Sequence, residues 1–231
     1  MPRTVHEYGP DPQQHVAFWG AQPGSPRGSI VLLHGGYWRA RFTADLMLPL
    51  VEPLLDRGWA VANVEYRRVG TGGGWPATVE DAGSAIDLAH STTPAPVVLV
   101  GHSVGGQLAL LYAGRADAVV ALAPVTDLAR GYAEGIGEDA VIDFMARTPE
   151  EDPAAYAAAS PSASTPPCPV LVVHGADDAR VPVAHTRDYV ARARAAGAAI
   201  TLQEHPELSH LALIDPAAPH WAGVHEWLDG I

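Results

Sequence analysis

The chain has 231 residues, 48% of them apolar and 17% charged, with 23 Gly and 21 Pro spread along it. That profile fits one globular domain with a sizeable core and excludes disorder, collagen and coiled coil. Net charge is −12 and all 14 basic residues are Arg, so no basic patch is available for nucleic acid or an anionic membrane surface, and lysine Schiff-base and P-loop chemistry are excluded.

No apolar run nears the ~20 residues of a membrane span, and the first residues carry no apolar leader. The expectation is a cytoplasmic protein whose partner is a small-molecule substrate, with a homodimer left open. Strands are predicted at 15–20, 29–34, 59–66, 96–101, 118–123, 169–174 and 199–205. Several are continuous β-branched runs (IVLL, VVLV, VLVV), the pattern of strands buried on both faces of a parallel sheet. Helices are predicted between them at 43–57, from a Thr cap to Gly58; at 77–89, after Pro76; and at 104–113, up to Gly114. Two more are predicted at 183–196, between Pro182 and Gly197, and at 217–228, where Trp221, Val224 and Leu228 share one face. The alternation implies an α/β fold, a mostly parallel sheet covered by helices on both faces, with ligands bound beyond the carboxyl ends of the strands.

Residues 126–166 break the rhythm with Gly-, Ala-, Pro- and Ser-rich sequence and one helical pattern near 138–147. They read as a small lid over the site or as a plain surface excursion. Cys168, the single cysteine, sits between prolines and reads as a buried, inert thiol. Eleven histidines, three of them at strand ends (His34, His102, His174), show neither HExxH nor CxxC spacing, so no metal is expected. No GxGxxG follows the first strand, so no dinucleotide cofactor is expected either.

Gly101-His102-Ser103-Val104-Gly105 runs from a predicted strand directly into a predicted helix. A serine on so sharp a turn needs small neighbours, and the turn lifts its hydroxyl above the sheet at a helix N-terminus. Serine at neutral pH needs a base, and the base needs an orienting carboxylate. Both follow at strand ends: Asp177 or Asp178 after Gly175, then His210, with His205 as an alternative inside the preceding strand. The order Ser, Asp, His is that of hydrolases with a strand–turn–helix nucleophile.

On these residues the chain resembles the α/β-hydrolases over nearly its whole length. The resemblance places the acid at Asp178, through Gly175-x-x-Asp178-x-x-Val181-Pro182, and the base at His210, through Ser209-His210-Leu211-Ala212-Leu213. It also makes His34-Gly35-Gly36-Tyr37-Trp38 an oxyanion loop, with the amides of Gly36, Tyr37 and Val104 as donors. HGGYW further resembles the kynurenine formamidase (arylformamidase) branch and related small esterases. That likeness implies hydrolysis of a small ester or aryl amide through an acyl-enzyme. Tyr37, Trp38 and Trp75 would then contact an aryl substrate, or pack in the core or rim. Arg39 or Arg41 would meet a substrate carboxylate. The alternatives are a general small-ester carboxylesterase and a non-catalytic ligand receptor on the same fold.

Overall fold

The computed structural model describes residues 3–20 and 26–231. Eight strands form one sheet: β1 (Arg3–Glu7), β2 (His15–Trp19), β3 (Ser29–Leu33), β4 (Ala60–Glu65), β5 (Val97–His102), β6 (Ala118–Leu122), β7 (Val170–Gly175) and β8 (Ile200–His205). Their order is β1-β2-β4-β3-β5-β6-β7-β8, antiparallel at the β1–β2 and β2–β4 edges and parallel from β4 to β8. This is an α/β-hydrolase fold.

Alternate residues of the central strands enter two different cores. Val31, Leu33, Leu99, Ala121 and Val172 pack against α2 (Ala77–Thr92), α3 (Val104–Leu111) and α7 (Val183–Ala195). Ile30, Leu32, Val98, Val120 and Val173 pack against α1 (Val51–Asp56) and α8 (His220–Leu228). With both faces covered, the two-residue period vanishes into unbroken apolar runs.

The structure departs from the sequence expectations where local geometry intervenes. The helix expected at 43–57 splits into a 3-10 segment, Ala44–Leu50, followed by α1. Pro49 sits where the two would join; it has no N–H and its ring crowds the preceding turn. The expected Thr43 cap does form, its hydroxyl accepting from the Asp45 amide at 3.4 Å. The last helix begins at His220 because Pro219 occupies the position before it. Strand β1 was not anticipated: its sequence, Arg-Thr-Val-His-Glu, is exposed throughout and carries no apolar alternation. No helix among the described residues is long and apolar enough to cross a membrane.

Residues 126–166 form α4 (Leu128–Ala133), α5 (Ala140–Met145), α6 (Pro153–Ala159) and a 3-10 turn, Pro161–Ala163. They dock at the carboxyl end of the sheet through a third buried cluster that joins Leu128, Val141, Phe144 and Tyr156 to Trp38, Val104 and Val181.

Candidate active site

Ser103 follows β5 and caps α3 with φ 58° and ψ −117°, a backbone that a β-carbon disfavours and that the fold must hold in place. Two glycines make it sterically feasible. A β-carbon on Gly101 would lie 2.1 Å from the Gly105 carbonyl oxygen, and one on Gly105 would lie 2.0 Å from the Leu33 carbonyl oxygen. The turn is stitched to the next strand: the Ser103 amide donates to Leu122 O at 2.8 Å, and Ser103 O accepts from Gln107 N at 3.1 Å. Ser103 therefore has little freedom to relax away from its strained conformation.

Beside it runs the loop after β3. Gly35 lies so close that a β-carbon there would sit 3.1 Å from the Ser103 β-carbon, and a β-carbon on Gly36, whose φ is +121°, would strike Phe42. Tyr37 and Trp38 continue the loop in the left-handed region, at φ 56° and 55°. Hydrogen bonds from Arg39 N to Gly36 O (3.0 Å) and from Val69 N to Trp38 O (2.8 Å) fix this path. Beneath the loop His34 stacks on Tyr66 at 4.2 Å, and the Tyr66 hydroxyl donates to His34 O at 2.6 Å. Burial pushes the His34 imidazole down to about 3, so it is a neutral strut. Among the described residues the amides of Gly36, Tyr37 and Val104 donate to no protein acceptor. Gly36 and Tyr37 border the same cavity as Ser103, and Val104 follows the serine directly in the chain.

The carboxylate and imidazole come from the loops after β7 and β8. A β-carbon on Gly175 would overlap the Leu208 carbonyl oxygen at 1.7 Å, so only glycine lets the end of β7 lie against the segment that carries His210. His210 Nδ1 donates to Asp178 Oδ2 at 2.7 Å. Asp178 Oδ1 accepts from the amides of Arg180 (2.8 Å) and Val181 (3.0 Å). Burial raises the Asp178 carboxyl, but the imidazoles of His174 and His210 outweigh it and hold the group well below the usual carboxylate range. With Nδ1 committed as donor, Nε2 is the basic nitrogen of His210. His210 and Ser103 line one cavity of about 270 Å³. No hydrogen bond joins them in this conformation, a contact that in hydrolases often tightens only with substrate present.

The structure thus brings together Ser103, Asp178, His210, Gly36, Tyr37 and Val104. Asp177 is exposed and His205 lines a different cavity, with His220, so neither alternative joins the group. Trp38 is a correction. It is 1% exposed, stacks on Phe144 at 4.5 Å and donates its indole N–H to Gln107 Oε1 at 3.0 Å, so it belongs to the core rather than to a substrate surface. Trp75 is another: it borders a separate cavity with Met145 and Arg147. Arg39 donates to Gly137 O at 3.0 Å and does not border the serine cavity, whereas Arg41 does.

Sequence reasoning missed Phe42, Leu46, Arg180 and Leu211 as lining residues. It did not foresee which group His102 would bond: its Nε2 donates to the His210 carbonyl at 2.9 Å. Burial, reinforced by the neighbouring His210, pushes His102 down to about 3, so it is a neutral tether for the base's backbone. The usable signal was position alone, since His102 immediately precedes the serine. Among the described residues no three of His, Cys, Asp or Glu converge as a metal site would require.

Residues 19–192 match the BD-FAE family model, three quarters of the chain including Ser103 and Asp178. The chain belongs to the BD-FAE family. This BD-FAE chain is also similar to two curated proteins of Mycobacterium tuberculosis. It is 27% identical to esterase LipC, over 84% of this chain and 56% of LipC, and 29% identical to esterase LipQ, over 81% of this chain and 51% of LipQ. The chain therefore spans about half the length of these relatives. Among solved structures, a truncated carbohydrate esterase from gut microbiota superposes with a TM-score of 0.86 at 18% identity, over 100% of this chain and 96% of that one. The thermophilic esterase Est2 of Thermogutta terrifontis gives 0.77 at 21% identity, over 98% and 90%. Likeness at these identities establishes the fold of the BD-FAE chain.

Proposed function

We propose that the protein is a serine hydrolase of carboxylesterase type that cleaves small esters through an acyl-enzyme. The observation that carries this reading is one cavity bordered by Ser103 on a strained strand–helix turn, by His210, itself bonded to Asp178, and by Gly36 and Tyr37, whose amides have no other acceptor among the described residues. His210 Nε2 takes the Ser103 proton as Oγ attacks the carbonyl carbon. The amides of Gly36, Tyr37 and Val104 bind the resulting oxyanion, each contributing on the order of 3 kcal/mol. His210 then returns the proton to the departing alcohol. Water, deprotonated by the same nitrogen, attacks the acyl-enzyme and frees Ser103. Asp178 fixes the imidazole tautomer and stabilises its cation throughout. The esterase names of the relatives support the ester class.

A second reading, an aryl formamide substrate, draws on the aromatic rings of Tyr37 and Phe42 that line this small cavity. The docked 126–166 segment supplies no residue to that lining, so we assign it the part of a fixed support for the Tyr37–Trp38 loop rather than a moving lid.

The test compares wild type and Ser103→Ala on 4-nitrophenyl acetate, 4-nitrophenyl butyrate and N-formylkynurenine. Ester turnover that vanishes in a variant with unchanged circular dichroism is the expected result. A formamide kcat/KM far above the ester values would instead favour the arylformamidase reading. Full activity of Ser103→Ala would defeat both. A folded wild type inert toward all three would point to a ligand receptor.

A further inference from the structure

The serine cavity is bordered by two arginines, Arg41 and Arg180, and by no Asp or Glu. Most other arginines of this chain already have carboxylate partners: Arg27 with Asp229, Arg67 with Asp81, Arg68 with Glu65, Arg115 with Asp87, Arg130 with Glu134 and Asp188, Arg147 with Asp152, and Arg187 with Glu204. Neither Arg41 nor Arg180 forms such a pair among the described residues. In a protein of net charge −12, acidic partners for a surface arginine are abundant. Two unpaired guanidinium groups on one small cavity are therefore an arrangement that the bulk charge works against.

Both arginines are also positioned. The Arg41 guanidinium carbon lies 4.8 Å from the centre of the Phe42 ring, a stacking that restrains the side chain while leaving its N–H edge open. Arg180 is anchored through its backbone, since its amide donates to Asp178 Oδ1 at 2.8 Å. The loop that presents the acid of the Ser–His–Asp group thus presents this cation as well. Its charge reaches the site, contributing to the lowered basicity of His102. Guanidinium forks match carboxylate geometry with paired N–H donors, and a cation pair at a cavity in an otherwise anionic protein gathers anions there.

Resting on the serine-hydrolase reading above, we propose that Arg41 and Arg180 form a carboxylate-binding subsite. The preferred substrates are then small esters that carry a carboxylate close to the scissile acyl group.

The test uses pairs matched in size and differing in charge. One pair is 3-acetoxybenzoate and its methyl ester, with the charge on the leaving group. The other is mono(4-nitrophenyl) adipate and its methyl ester, with the charge on the acyl side. Each kcat/KM is divided by the hydroxide-catalysed rate constant of that ester, and wild type is compared with Arg41→Gln/Arg180→Gln. The wild type is expected to favour the anionic member of at least one pair about tenfold at low salt. That ratio falls toward one in the double variant, and it shrinks in wild type as salt is added. A ratio near one in wild type for both pairs, or one that survives the double substitution, overturns the carboxylate subsite while leaving the hydrolase reading intact. Failure of the folded wild type to cleave any of the four esters brings down both.

Discussion

At Asp178, burial and hydrogen bonding pull in opposite directions. Burial alone would favour the neutral acid, yet His210, His174 and two backbone amides keep it ionised. Removing the charge while keeping the shape should therefore be costly for chemistry and also for stability. Asp178→Asn is expected to lower kcat by roughly four orders of magnitude, because an amide can stabilise the wrong imidazole tautomer. Steady-state kinetics on a variant whose circular dichroism shows it folded would reveal it, and a loss below tenfold would contradict it. The choice of Asp178 over Asp177 rested on the family resemblance through Gly175-x-x-Asp178-x-x-Val181-Pro182, and the structure agrees with it: His210 bonds Asp178 while Asp177 is exposed. Trp38 was misplaced because an aromatic beside a loop looks the same in sequence whether its ring turns outward or inward. Only Phe144, more than a hundred positions away, settles that choice. Arg180 was invisible for a similar reason: nothing in its neighbours tells which arginines will find a partner.

Between elements, a single side chain carries much of the connection. Gln107, on α3 directly below Ser103, accepts from the Trp38 indole at 3.0 Å and donates to Ala159 O, at the end of α6, at 2.7 Å. It is fully buried. Gln107→Leu would strand two buried polar groups at once and is expected to destabilise the protein by about 3 kcal/mol, measured by urea unfolding. Wild-type stability in that variant would show that the 126–166 segment is not fastened through this bridge. The helices and central strands were legible because their apolar runs and Gly/Pro boundaries are local. The antiparallel edge was not, since β1 has no buried face, and the break at Pro49 needed the proline to be given more weight than the periodicity around it. Of the three short helices of 126–166, α5 matches the helical pattern near 138–147, whereas α4 and α6 span only 6 and 7 residues, too few for an amphipathic period to show.

For the molecule as a whole, His34 and His102 tie stability to pH. Each is held at about 3 when folded, against an ordinary value near 6.5, so the unfolded chain binds protons that the folded one refuses. Their contribution is complete above about pH 6.5 and is lost as pH falls toward 3. Asp178, depressed when folded, adds a loss that begins only below its ordinary carboxylate range. The melting temperature should accordingly decline between pH 7 and pH 4 in a series of scans at constant ionic strength. A flat profile over that interval would contradict the neutral, buried state of both imidazoles.

The strand order has one more consequence. In the sheet, β5 lies between β3 on one side and β6, β7 and β8 on the other, so the proposed donors Gly36 and Tyr37 reach Ser103 from the β3 side and the imidazole reaches it from the β8 side. A carbonyl group entering the cavity has its oxygen drawn one way and its leaving group the other, and it can show the serine only one of its two faces. The site is accordingly handed, and mirror-image esters present it with different problems of fit.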